Sequence, residues 1–149
     1  MNRGWSRVAI AGLAMAVAPA WAEVTVTQAW VGPTLPKLKA AGVYMKLTST
    51  RDVLLVSAAS PAAGIVEIHE MTTGGGVVAM RSIDEIAIPA GTTVELKPGG
   101  YHVMLFELVK PLAKGDKVPV TLTFRGKDGT VRQAILAEVL PRGAPPAQP

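Results

Sequence analysis

Residues 118–129 read VPVTLTFRGKDG, and this stretch decides the fold class. Apolar residues at every second position from Val118 to Phe124 alternate with Pro, Thr and Arg, as in a strand with one buried and one exposed face. Residues 126–129 have the composition of a hairpin turn. Residues 131–140 then predict the returning strand, so this part of the chain is predicted to be a β-hairpin.

The same alternation recurs along most of the chain. Further strands are predicted at 24–31, 41–48, 53–58, 65–71, 77–82, 92–97 and 101–109. A strand roughly every ten to twelve residues is typical of a β-sandwich or small barrel. Because about 125 residues supply one hydrophobic core but not two, we predict a single all-β domain.

The first 22 residues resemble a secretory signal peptide. Arg3 and Arg7 are basic, residues 8–17 are apolar, and Ala-Trp-Ala at 20–22 matches a signal-peptidase site. The apolar stretch is shorter than the roughly 20 residues that a membrane span needs. We therefore expect cleavage, a periplasmic location, and no membrane insertion after the signal is removed.

The chain after the signal divides into a β domain at 23–140 and a Pro-rich stretch at 141–149, which is predicted to be a disordered tail. Cysteine is absent, so stability must come from an ordinary core rather than from disulfides. Without the signal, 13 Lys and Arg face 11 acidic residues, a net charge of +2. This charge is too weak and too scattered for nucleic-acid binding, and we expect a monomer without a nucleic-acid partner.

Both histidines of the chain are followed two residues later by methionine: His69 by Met71, and His102 by Met104. Strand alternation places each pair on one face, while the apolar neighbours of each pair face the core. Met80 lies between the two pairs along the chain. Thioether sulfur selects Cu(I), and imidazole binds copper in either common oxidation state, so these five residues are a candidate copper site.

Other chemistries fit these residues less well. His69 and Glu70 begin a zinc-protease motif, but position 73 is Thr and the second His is missing. A blue-copper centre requires a Cys thiolate, and Met45, which has apolar residues two positions away on both sides, is predicted to lie in the core. A copper oxidase would need further His ligands, so we predict no enzymatic activity. Copper or silver sequestration, and a structural sandwich without metal, remain alternatives.

The spacing from His69 to Met104 is H-x10-M-x21-H-x-M. It resembles the signature of the PCuAC family of periplasmic copper chaperones. The surrounding sequence is similar too, at residues 66–70, 80–81, 88–91 and 96–104.

This resemblance implies a cupredoxin-like Greek-key β-barrel that binds one Cu(I) per monomer at an exposed site. It implies His69, Met80, His102 and Met104 as the ligands, with Met71 as an auxiliary candidate. It also implies delivery to a copper-accepting protein, either a cytochrome c oxidase subunit or a Sco-type thiol protein, during assembly of the oxidase copper centre.

Overall fold

The computed structural model describes residues 22–34, 37 and 39–141, and in this part of the chain ten strands form one sheet. The strands are β1 (Val24–Val31), β2 (Ala41–Ser49), β3 (Val53–Ala59), β4 (Ala63–Gly74), β5 (Val77–Ser82), β6 (Ile86–Ile88), β7 (Thr93–Leu96), β8 (Tyr101–Leu108), β9 (Lys117–Gly126) and β10 (Gly129–Val139). Among these described residues, no helix has the length and apolar character needed to cross a bilayer. The predicted all-β class is confirmed. Apart from Ala22 and Pro141, the predicted signal peptide and tail lie outside the described residues.

The predicted strands are all present, with small differences at their ends, but the sequence prediction missed β6. This strand has only three residues, which is too short for an alternating pattern to stand out. Ile86 and Ile88 are nevertheless buried and pair with β3. Tertiary packing, rather than local pattern, therefore forms this strand.

The order of strands in the sheet is β5-β4-β8-β2-β1-β10-β9-β3-β6, and β7 also pairs with β2. All neighbouring pairs are antiparallel except β1 and β10, which are parallel. Strand β8 thus lies between β4 and β2, while β5 ends the order beyond β4. Side chains from these four strands can share one face of the sheet.

Alternate residues of the strands build the core. The predicted inward set of β9 is at most 1% exposed: Val118, Val120, Leu122 and Phe124. Met45 is also buried, which confirms its predicted place in the core, and Val103 and Leu105 of β8 are fully buried. The other residues of β8 must then project from the opposite face.

A bulge in β1 changes which of its residues face the core. The register with β2 shifts around Gln28, which has a φ of 52°. Regular alternation would place Val24 and Val31 on opposite faces of the strand, yet both pack in the core. The extra residue of the bulge inverts the faces beyond it and accounts for this. Trp30 therefore projects from the outer face, where its ring centroid lies 4.5 Å from that of Tyr44.

Candidate metal centre

The two histidines lie directly opposite each other on neighbouring strands. His69 of β4 is the antiparallel partner of His102 of β8, and their ring centroids are 5.7 Å apart. Directly opposed residues project from the same face of a sheet. Ile68 and Val103, the adjacent pair, point into the core instead, so the faces predicted from alternation are confirmed for both histidines.

The candidate methionines share this outer face. Met104 follows His102 by two residues on β8, and Met71 and Met80 are register partners across the β4–β5 hairpin. The Met80 side chain reaches across β4, so that its Sδ lies 3.1 Å from Nε2 of His102. The fold thus brings all five sequence-predicted residues, including His69, to one region of β4, β5 and β8.

This region is more buried than the exposed site predicted from the sequence. His69 is 6% exposed, His102 is 4% exposed and Met104 is 5% exposed, whereas Met80 is 44% exposed. Met71 is intermediate. The prediction of an exposed site is therefore wrong for the two histidines and Met104, and only Met80 of the four signature residues opens widely to solvent.

Aromatic rings account for much of this burial. The centroid of Tyr44 lies 6.1 Å from that of His102, and the centroid of Phe106 lies 5.6 Å from that of His69. Trp30 packs against Tyr44. Aromatic side chains remove large apolar areas from water, so together these three rings shield the histidines. The sequence prediction of the site did not include these rings, although Phe106 shares the two-residue alternation of His102 on β8.

Gly42 gives Tyr44 the space to lie across β2. A Cβ at position 42 would stand 2.5 Å from Oη and 2.8 Å from Cζ of Tyr44. Gly42 is also the register partner of Met104, so the phenol lies over the backbone beside this methionine. Burial raises the pKa of Tyr44 above its usual 10.0, which keeps the phenol neutral.

Hydrogen bonding determines which nitrogen of His102 carries the proton. Nδ1 lies 3.1 Å from the carbonyl oxygen of Gly100, which can only accept, so Nδ1 donates. Burial lowers the pKa of His102 below 6.5; the bond to Gly100 opposes this shift and the charge of His69 adds to it. The neutral ring therefore has its lone pair on Nε2, which faces the sulfur of Met80.

The two nitrogens of His69 have different surroundings. Nε2 lies 2.7 Å from Oε2 of Glu67. Within the described residues, Nδ1 is the only buried side-chain nitrogen or oxygen atom without a hydrogen-bond partner. A buried polar atom left unpaired costs about 1–3 kcal/mol, and this nitrogen can recover that cost by binding a ligand.

The combined donor set fits a soft ion. When Nε2 of neutral His69 donates to Glu67, its lone pair lies on Nδ1, and His102 presents a lone pair on Nε2. The thioethers of Met80 and Met104 lie on the same face. Two imidazole nitrogens with thioether sulfurs match the preferences of a soft monovalent metal rather than those of a hard cation such as Mg²⁺.

Solved structures of other proteins share this fold. The chain resembles the copper-bound PCuAC domain from PmoF2 with a TM-score of 0.62 and 26% identity, covering 79% of this chain and 92% of that one. It resembles the CuI form of DR1885 from Deinococcus radiodurans with a TM-score of 0.59 and 33% identity, covering 75% of this chain and 74% of that one. The predicted single-domain β fold agrees with both.

Sequence comparisons give the family. Lxx21020 of Leifsonia xyli subsp. xyli, which bears a lipoprotein name, is 39% identical over 102 residues, 68% of this chain and 61% of that protein. The chain spans about three fifths of the length of the curated relatives it matches. The family model "Putative lipoprotein LpqE-like" matches residues 24–135. Because this match extends over most of the chain, the protein belongs to the LpqE-like family.

Proposed function

We propose that this protein is a Cu(I)-binding metallochaperone that holds one ion with His69, Met80, His102 and Met104. The observation that carries the proposal is the 3.1 Å approach of Met80 Sδ to the lone-pair nitrogen of His102, beside the buried His69. A nitrogen lone pair and a sulfur atom that face each other suit a shared cation. Met71, opposite Met80 on β4, is an auxiliary donor in this proposal.

The solved relatives support copper as the cargo. The PmoF2 domain was solved with copper bound and DR1885 in a CuI form, and each is similar to most of this chain. The donor set supports the monovalent ion independently, since thioether ligands select Cu(I). We infer one ion per monomer, because the described candidate donors form a single group on one face of the sheet.

Transfer to an acceptor follows from the charges and exposure of the donors. Imidazole and thioether ligands are neutral and leave the charge of Cu(I) uncancelled, so an acceptor thiolate offers the ion a stronger partner. Met80 is the signature residue most open to solvent. An acceptor would therefore displace Met80 first and withdraw the ion through the side of the site that β5 borders.

We further propose that the protein acts in the periplasm. The signal-like residues 1–22 and the lipoprotein name of the family support export. In this proposal, residues 23–140 form the copper-binding domain and 141–149 form a disordered tail. The acceptor is a cytochrome c oxidase subunit or a Sco-type thiol protein that assembles the oxidase copper centre, and the chaperone itself carries out no enzymatic reaction.

A second candidate function is copper or silver sequestration without a dedicated acceptor. The burial of His69, His102 and Met104 favours it, because ligands shielded from water exchange with competing ligands less readily. Mixing the Cu(I)-loaded protein with a reduced dithiol protein separates the two functions. A chaperone transfers its ion within minutes, whereas a storage protein retains it.

Titration of Cu(I) against a competing chelator tests the site. Wild-type protein should bind one equivalent, and His102→Ala or Met104→Ala should weaken binding strongly. Met45→Leu is the matched control, because it replaces a buried core methionine and leaves all proposed donors in place. Equal affinity in wild type and both donor variants would refute the proposed function.

A further inference from the structure

Glu67 contacts the candidate site from its solvent side. It precedes His69 by two residues on β4 and is the register partner of Met104, so it shares their face. Its Oε2 lies 2.7 Å from Nε2 of His69. The Glu67 side chain is 42% exposed, whereas that of His69 is 7% exposed. The carboxylate of Glu67 thus contacts Nε2 of the His69 ring, while Nδ1 of the same ring is buried.

The two histidines consequently present different nitrogens to the site. His102 is held at Nδ1 by the carbonyl of Gly100, which leaves Nε2 as its lone-pair nitrogen. His69 is held at Nε2 by Glu67, which leaves Nδ1. That Nδ1 is also the buried atom without a hydrogen-bond partner. The unpaired atom and the atom freed by the carboxylate are therefore the same atom.

We propose that Glu67 is a positioning residue that makes Nδ1 the metal-binding nitrogen of His69, an inference that rests on the proposed function. By accepting a hydrogen bond from Nε2–H, Glu67 selects one tautomer and fixes the ring before the ion arrives. Carboxylates play this role for metal-binding histidines in other sites, where their loss typically weakens binding about 10–100-fold.

Glu67 acts through His69 rather than on the ion itself. A carboxylate is a hard donor, poorly matched to Cu(I) beside thioethers. Nδ1 is bonded to Cγ and is the ring nitrogen nearer the backbone, so ligation there holds the ion close to the strands. This geometry lets β4 and β8 contribute His69, His102 and Met104 to one ion between neighbouring strands.

Two substitutions at this position test the role. Glu67→Gln keeps a side chain of the same length whose amide oxygen can still accept from Nε2, and Glu67→Ala removes the acceptor. Glu138→Ala is the matched control, since Glu138 is also a strand residue with a partly exposed side chain and pairs with Lys117. Long-range ¹H–¹⁵N NMR of the imidazoles in the full-length protein reports which nitrogen carries the proton, and chelator competition reports the affinity for Cu(I).

In the metal-free wild type, His69 should carry its proton on Nε2, and addition of Cu(I) should perturb Nδ1. Glu67→Ala should mix the two tautomers and lower the affinity about 10–100-fold, while Glu67→Gln and Glu138→Ala should stay close to wild type. Perturbation of Nε2 by Cu(I) in the wild type would overturn the inference, and this measurement needs no variant that could fail to fold.

The proposal for Glu67 and the proposed function fail in different ways. If wild-type protein takes up no Cu(I), both are overturned. If wild type binds Cu(I), His69→Ala loses it and Glu67→Ala retains full affinity, only the role of Glu67 is overturned. Full recovery by Glu67→Gln of an affinity lost in Glu67→Ala supports a hydrogen-bonding role over one that depends on charge.

Discussion

Replacement of Gly42 by alanine should disturb the candidate site without changing any of its donors. The new Cβ would stand 2.5 Å from Oη and 2.8 Å from Cζ of Tyr44. Carbon atoms in contact are normally about 3.5–4.0 Å apart, so the Tyr44 ring must withdraw by roughly 1 Å against the packed ring of Trp30. Overpacking of this kind costs about 1–3 kcal/mol, and we expect the free energy of unfolding to fall by that amount.

Gly32 supplies a matched control on the same ring. A Cβ at position 32 would lie 3.5 Å from Cε2 of Tyr44, which is an ordinary contact. Gly32→Ala should be neutral or should stabilise the protein by up to about 1 kcal/mol, because alanine restricts the unfolded chain. Urea unfolding of the two variants should therefore shift the midpoint downward for Gly42→Ala only.

A double-mutant cycle with Tyr44→Ala identifies the source of the effect. Once the phenol is removed, the alanine at position 42 no longer meets it, so the cost of Gly42→Ala should largely disappear. An equal loss of unfolding free energy with and without the Tyr44 ring would show that the clash is not the cause. An unchanged midpoint for the single variant would likewise contradict this account of how the Tyr44 ring lies over Gly42.

The remaining predictions concern the core, pH and metal preference. Leu105→Ala should lower the unfolding free energy by about 2–5 kcal/mol, because it leaves a cavity in the core. Met104 is also buried, so Met104→Ala should cost more than the roughly 0.5 kcal/mol of a surface change. Unchanged stability of Met104→Ala in denaturant melts would contradict the burial of this residue. Because the pKa of His102 is lowered in the fold, the unfolded chain takes up its proton first, so this contribution to metal-free stability is fully present above about pH 6.5 and is lost as pH falls toward the folded pKa. In melts across this pH range, His102→Gln should reduce the change of unfolding free energy with pH. An unchanged pH dependence would contradict the contribution of His102. Cu(I) should bind much more tightly than Zn(II), because thioethers favour the softer ion, and equal affinities in a competition titration would count against the copper assignment.

Much of the fold could be predicted because its information is local. In β9, apolar residues at every second position determine the buried face without reference to any other strand. The same reasoning assigned Val103 to the core and His102 to the opposite face. Strand β6 was missed because three residues contain barely one repeat, and its burial depends on pairing with β3, which is distant in sequence.

The shielding of the site could not be predicted because it depends on which strands become neighbours. Tyr44 covers His102 only because β2 lies next to β8 in the sheet, and nothing in either segment alone specifies that order. The contact of Glu67 with His69 is different. It joins residues two positions apart on one strand, so alternation applied to the polar residues as well as the methionines would have indicated it.

The bulge at Gln28 lets β1 hold one extra residue while the side chains on either side of it keep their faces. A left-handed conformation costs a residue other than glycine roughly 1–2 kcal/mol, and the chain keeps one here with a φ of 52°. Deleting this single position would restore regular pairing with β2, with Trp30 still opposite Tyr44 and Val31 still opposite Val43 in the core. Loss of Gln28 itself should therefore keep Trp30 over the metal site, whereas one residue added or lost elsewhere in β1, with the bulge retained, would exchange that surface with the interior of the protein.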